Sequence, residues 1–210
     1  VAVTSAATTE RELLCDLALR VGPDAPTLSG EWDVRQLMAH LLVRDRQPHN
    51  GIGIVVPRLV GRHDRAVERV ATREFSSIVE GVRATRSPIT LPVVNSLANT
   101  VEYFVHHEDV RRARPDWRPR VHSRRLRDAL WRVLPVLGRT LVVTAGVPVR
   151  LRRADTGATM TLRRGINPVV LTGDVGELVL FLYGRKQTYG LAFDGPDAHI
   201  TAIKAASLGF

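Results

Sequence analysis

Residues 99–113 read NTVEYFVHHEDVRRA. Tyr103, Phe104 and Val105 stand among charged and imidazole side chains without any strand-like alternation, and the spacing predicts a long helix from about Leu97 to Ala113. On that helix Glu102 and His106 are one turn apart and share a face, and Asp109 continues the stripe three residues on. His107 points about 100° away from them. A carboxylate and an imidazole at i and i+4 can chelate one metal ion from a single helix, as bundle metal sites do. The same spacing also suits a plain i,i+4 hydrogen bond, and spacing alone leaves both readings open.

A metal needs a further ligand, and residues 31–47, EWDVRQLMAHLLVRDRQ, offer one. Asp33 with Gln36 three residues later has the form of a capping box. Val34, Leu37, Met38, Leu41 and Leu42 then make one apolar stripe of helical period. His40 lies at the edge of that stripe, where a side chain can turn towards a neighbouring helix. A set of two histidines and one glutamate would leave zinc an open position for water or substrate. Nitrogen and oxygen ligands suit zinc, nickel and iron alike, with zinc the first expectation.

The rest of the first half also reads as helix. Residues 9–21 form an amphipathic segment ended by the VGPDAP turn, and 58–72 and 74–85 are one broken helix or two short ones. The Gly- and Pro-punctuated segment 50–57 reads as a loop or helix start, and Pro88 and Pro92 as an extended link. Four main helices imply a bundle. The texture changes after RPDWRPR. His122 to Leu137 reads as a helix disturbed by Pro135, and residues 141–165 as two strands around an Asp-Thr-Gly turn. PVVLTGD (168–174) is a further strand. Asp174 and Gly184 favour a helix for the apolar run between them, and the tail holds one or two short elements. The expected architecture is a helical bundle over 1–117 followed by a small α+β domain over 118–210.

Composition narrows the function. The 210 residues are 44% hydrophobic and 24% charged, ordinary for a globular protein. No apolar run reaches the roughly eighteen residues that cross a bilayer, and VAVTSAATTERELL lacks the layout of a secretory signal. A cytoplasmic protein is expected. The single cysteine, Cys15, excludes an intrachain disulfide and a multi-cysteine zinc site, and its helical context predicts a buried core thiol. The net charge of +9 is uneven: residues 1–115 carry 15 arginines against 14 acids, whereas 116–210 carry 13 arginines and 2 lysines against 7 acids. A nucleic-acid binder using that basic half ranks last, because the strands lack an array of stacking aromatics. His49, His63, His122 and His199 read as solvent-facing, and Arg111 and Arg112 as a solvated helix end that complements the dipole.

Together, WDVRQLMAHLL (32–42) and ANTVEYFVHHEDVRRA (98–113) resemble the DinB-like superfamily. They look most like its mycothiol-dependent maleylpyruvate isomerase family and the uncharacterised actinobacterial metal-binding relatives. The resemblance covers residues 9–117 well and the remainder loosely. It implies a DinB-like four-helix bundle, a divalent metal on His40, Glu102 and His106, and a supporting role for Asp109 that orients a ligand or handles a proton. It also implies thiol chemistry, with mycothiol as cofactor, the metal activating its thiol, and an electrophilic small molecule as substrate in a transferase or isomerase reaction. Arg44, one turn beyond His40, is a candidate for binding a substrate or thiol carboxylate. The arginine bias, 28 against 2 lysines, fits GC-rich coding and an actinobacterial source. The alternative is a non-catalytic DinB-like metal-binding or stress-related protein. Bundles of this kind often form homodimers, and no feature of the sequence fixes the number of subunits.

Overall fold

The computed structural model describes residues 5–46, 57–85 and 92–209. The chain divides into two compact units, residues 1–118 and 119–210. The first is helical among its described residues: α1 (Ala6–Val21), α2 (Val34–Arg46), α3 (Pro57–Ala71), α4 (Phe75–Ala84) and α5 (Pro92–Arg112). The second holds α6 (Arg124–Leu141), β1 (Val149–Arg153), β2 (Thr159–Arg163), β3 (Val169–Gly173), α7 (Val175–Leu182), β4 (Ala192–Asp194) and α8 (Asp197–Ala205). This is a helical bundle followed by an α+β unit. Among the described residues no helix is long and apolar enough to cross a membrane.

The helices of the first unit start where local chemistry satisfies their free N–H groups. Ser5 accepts the Thr8 amide at the head of α1. At α2 the capping box forms in full: the Gln36 amide donates to Asp33 Oδ1 at 2.8 Å, and the Asp33 amide donates to the Gln36 side chain at 3.1 Å. The α2 stripe, Val34, Leu37, Met38, Leu41 and Leu42, is buried with Leu14, Cys15 and Ala18 of α1 and Ile78, Val79 and Val82 of α4. α5 lies along α1, and α2 along α3 and α4. Edges of the α2 and α5 faces are thus left to meet each other.

Several elements differ from the sequence-based expectation. α5 begins at Pro92, five residues before Leu97, because proline fits the first helical turn, where its missing N–H is no loss. Of the two readings left open for residues 58–85, two separate helices is the one found, with the Glu74 carboxylate capping the second by accepting from the Ser76 and Ser77 amides. The link near Pro88, His49 and the segment 50–56 lie outside the described residues.

In the second unit α6 runs through Pro135 to Leu141, beyond the expected Leu137. Burial of Leu130, Val133, Leu134 and Leu141 offsets the hydrogen bond that the proline removes. Residues 141–145, expected as strand, are the end of this helix and a 3₁₀ turn, Val143–Ala145. The sheet order is β2-β1-β3-β4. β1 pairs antiparallel with β2 across the Asp-Thr-Gly turn and parallel with β3, while β3 and β4 are antiparallel. Val149, Leu151, Val169 and Leu171 are fully buried, β2 packs on α6 and β3 on α7, and a Cβ at Gly138 would already touch Leu162 at 3.0 Å. α7 is a helix, capped by Asp174, whose side chain accepts the Gly176 amide at 2.8 Å. Gly184 turns the chain away at φ +78.

Candidate metal centre

α2 and α5 bring His40, Glu102 and His106 together, with one ligand atom from each lying within 4.8 Å of the others. The Nε2 atoms of His40 and His106 approach the same oxygen, Glu102 Oε1, at 3.3 and 3.4 Å. Side-chain exposures of 8% for His40, 19% for Glu102 and 12% for His106 make the cluster shielded but reachable from solvent. Trp32 walls one side, its ring centroid 4.9 Å from that of His40.

Each imidazole is held from its far nitrogen. His106 Nδ1 donates to Asp109 Oδ2 at 3.0 Å, and the Ser29 hydroxyl donates to the same oxygen at 2.7 Å while lying 3.3 Å from Nδ1. Asp109 is fully buried, and its backbone carbonyl accepts the Leu28 amide at 3.2 Å, which ties the Ser29 turn to α5. His40 Nδ1 lies 2.8 Å from His63 Nε2, supplied by α3. The expectation that His63 faces solvent is therefore corrected. Its position on α3 turns it towards His40, and burial, with the His40 imidazole beside it, lowers its pKa.

Arg44, considered for a substrate anion, has three protein partners. Its guanidinium lies 3.4 Å from Glu102 Oε1 and donates to Asp45 Oδ1 and Asn99 Oδ1, each at 2.9 Å. Tyr103 donates its hydroxyl to the other Asp45 oxygen, so a buried chain Tyr103–Asp45–Arg44 ends on the Glu102 carboxylate. This arrangement controls charge. Burial alone would raise the Glu102 pKa, but Arg44 and the two histidines hold it well below the usual carboxylate range. Burial lowers the His40 pKa and keeps that ring neutral, with Glu102 opposing. Burial also works against a charge on His106, yet Asp109 and Glu102 overcome it and lift its pKa to about 9.

The remaining described histidines and the charged end of α5 are engaged away from this cluster. His107, on another face of α5, has its Nδ1 3.0 Å from Oε2 of Glu10 on α1, both side chains buried. Arg111 and Arg112, expected as a solvated end, both close on Glu108, which is 0% exposed. A carboxylate taken out of water needs that compensation, and Arg112 also stacks 4.6 Å from the Trp117 ring centroid. His122, expected in solvent, is 2% exposed and meets Asp174 at 2.6 Å. His199 is partly covered and lies 3.0 Å from the Asn167 carbonyl.

The donor set could hold a metal ion. Ligand atoms about 2.0–2.1 Å from a tetrahedral zinc sit roughly 3.4 Å apart, which is the spacing of both nitrogens from Glu102 Oε1. Oriented far nitrogens are what histidine ligands commonly show. No family model and no curated protein matches the sequence. The fold is similar to the crystal structure of the mycothiol-dependent maleylpyruvate isomerase, with a TM-score of 0.60 and 13% identity over 90% of this chain and 88% of that one. A histidine-to-alanine mutant of that isomerase matches with a TM-score of 0.57 over the same shares. The resemblance read from the two helix motifs thus extends to a distant relationship of fold.

Proposed function

We propose that the helical unit binds one divalent ion, zinc first, on His40, Glu102 and His106, and that the protein is a thiol-dependent transferase or isomerase. The observation that carries this reading is the convergence of two imidazole Nε2 atoms on one carboxylate oxygen while both Nδ1 atoms are engaged elsewhere. An ion bound there would act as a Lewis acid with a position open to an exogenous ligand, and would favour the thiolate form of a bound thiol. Mycothiol, the thiol in the name of the structural neighbour, is the cofactor proposed.

The chain's own residues prepare that chemistry. Arg44 keeps Glu102 ionised, so the carboxylate is ready as a ligand at neutral pH. The neutral His40 ring offers Nε2 without first losing a proton. Asp109 and Ser29 fix the His106 ring, and the carboxylate strengthens that nitrogen as a donor. Arg44 also borders the cluster closely enough to attract an anionic group of the thiol or of an electrophilic substrate.

The test is conjugation of mycothiol with a model electrophile by the zinc-loaded protein. A rate well above the uncatalysed one, lost in His106→Ala, supports the reading. Metal binding without acceleration would leave the non-catalytic alternative in its place.

A further inference from the structure

The second unit contains a cavity of about 230 Å³ beside the end of α7, the following turn, β4 and α8. Its apolar wall is Phe181, Phe193 and Ile203, with the two phenylalanine rings edge to face at 5.3 Å and 71° and Ile203 fully buried. Arg185, Lys186 and Lys204 also line it, and no aspartate or glutamate does. A chain that uses arginine at 28 of its 30 cationic positions thus places both of its lysines on one cavity. Lysine supplies a compact, mobile charge with three donors, suited to an anion whose position is not dictated by a rigid fork. Lys204 Nζ rests 4.5 Å from the Phe193 ring centroid, so a cation is already held at the edge of the apolar wall. One Arg185 N–H is anchored on the Tyr183 carbonyl at 2.7 Å, which fixes that side chain where the chain leaves α7.

We propose that this cavity binds a small organic acid, with its carboxylate among Lys186, Lys204 and Arg185 and its apolar body against Phe181, Phe193 and Ile203. Two features select this class. Among the described lining residues three are cationic and none is an aspartate or glutamate, which favours a negative charge, and two aromatic rings beside them favour an apolar body over a bare inorganic ion. The volume falls just below the usual range for drug-sized ligands, about 300–1,000 Å³, which limits the ligand to a single ring or a short chain. The proposal does not rest on the metal centre.

The experiment is an amide-resolved NMR titration of the full chain with sodium benzoate as probe, with benzyl alcohol and inorganic phosphate as comparisons. Benzoate should give saturable shifts centred on residues 184–188, 193 and 203–206, with a dissociation constant on the order of 1 mM. Benzyl alcohol and phosphate should each bind at least about tenfold more weakly, and added salt should weaken benzoate. The variant with Lys186→Gln and Lys204→Gln should keep its amide spectrum elsewhere and lose about tenfold in affinity. No saturable shift up to about 20 mM benzoate would overturn the proposal. Equal binding of benzyl alcohol, equal binding of phosphate, or an unchanged affinity in the double variant would overturn it too.

Discussion

Replacing Asp109 by asparagine keeps the shape of a fully buried side chain and removes its charge. An amide oxygen can still face Ser29 and His106, but it holds the imidazolium far less strongly than the carboxylate at 3.0 Å. The consequence can be read in the metal-free protein through pH. Burial opposes the charge on His106, and Asp109 leads the interactions that overcome it and raise the pKa from 6.5 to about 9. Between these values the folded chain holds a proton that the unfolded chain releases. Stability from this group is therefore complete below about pH 6.5 and is lost as the pH rises through about 9. A shift of that size corresponds to an upper figure of about 3 kcal/mol. Asp109→Asn should remove about half of this dependence or more, leaving the part due to Glu102. Urea unfolding of chelator-treated protein at pH 6.5 and pH 9, followed by tryptophan fluorescence, measures it. Other titrating groups cancel in the comparison with the unsubstituted chain. Equal pH dependence in the two proteins would refute the coupling of Asp109 to His106.

Two further outcomes are expected. His63→Ala should weaken zinc binding about tenfold, as loss of a partner on a ligating histidine commonly does, whereas His63→Gln, which keeps an acceptor for His40 Nδ1, should retain most of the affinity. Competition with a chromophoric chelator reads this, and unchanged affinity in the alanine variant would show that His63 does not orient His40. Cys15 is fully buried, and burial pushes its thiol up to about 12. Native protein should thus react with an aromatic disulfide reagent about a thousandfold more slowly than urea-unfolded protein, and rapid labelling of the native chain would contradict that burial.

Much of the first unit was legible because its signals are local. The capping box, the α2 stripe and the i,i+4 pair on α5 each lie within a few residues, and helical period translates them directly into faces. His40 could be proposed as a partner because it sits at the border of an otherwise apolar stripe. His63 and Ser29 could not. They reach the site across 23 and 77 residues, on a heavily charged helix and in a turn, and nothing nearby marks which way they face. The buried Glu108–Arg111–Arg112 cluster was misread for a related reason, since charged residues at a helix end look the same whether or not Trp117 and the following chain cover them. In the second unit the hairpin followed from its turn chemistry and α7 from its cap and glycine stop. The length of α6 did not, because burial on the sheet outweighs the local effect of Pro135.

Metal binding by His40, Glu102 and His106 is read by elemental analysis of untagged protein beside its His106→Ala variant. One divalent ion per chain, zinc first, is expected in the unsubstituted protein, and its loss from a variant that remains folded. Protein that carries no metal and takes up none at micromolar zinc would contradict it.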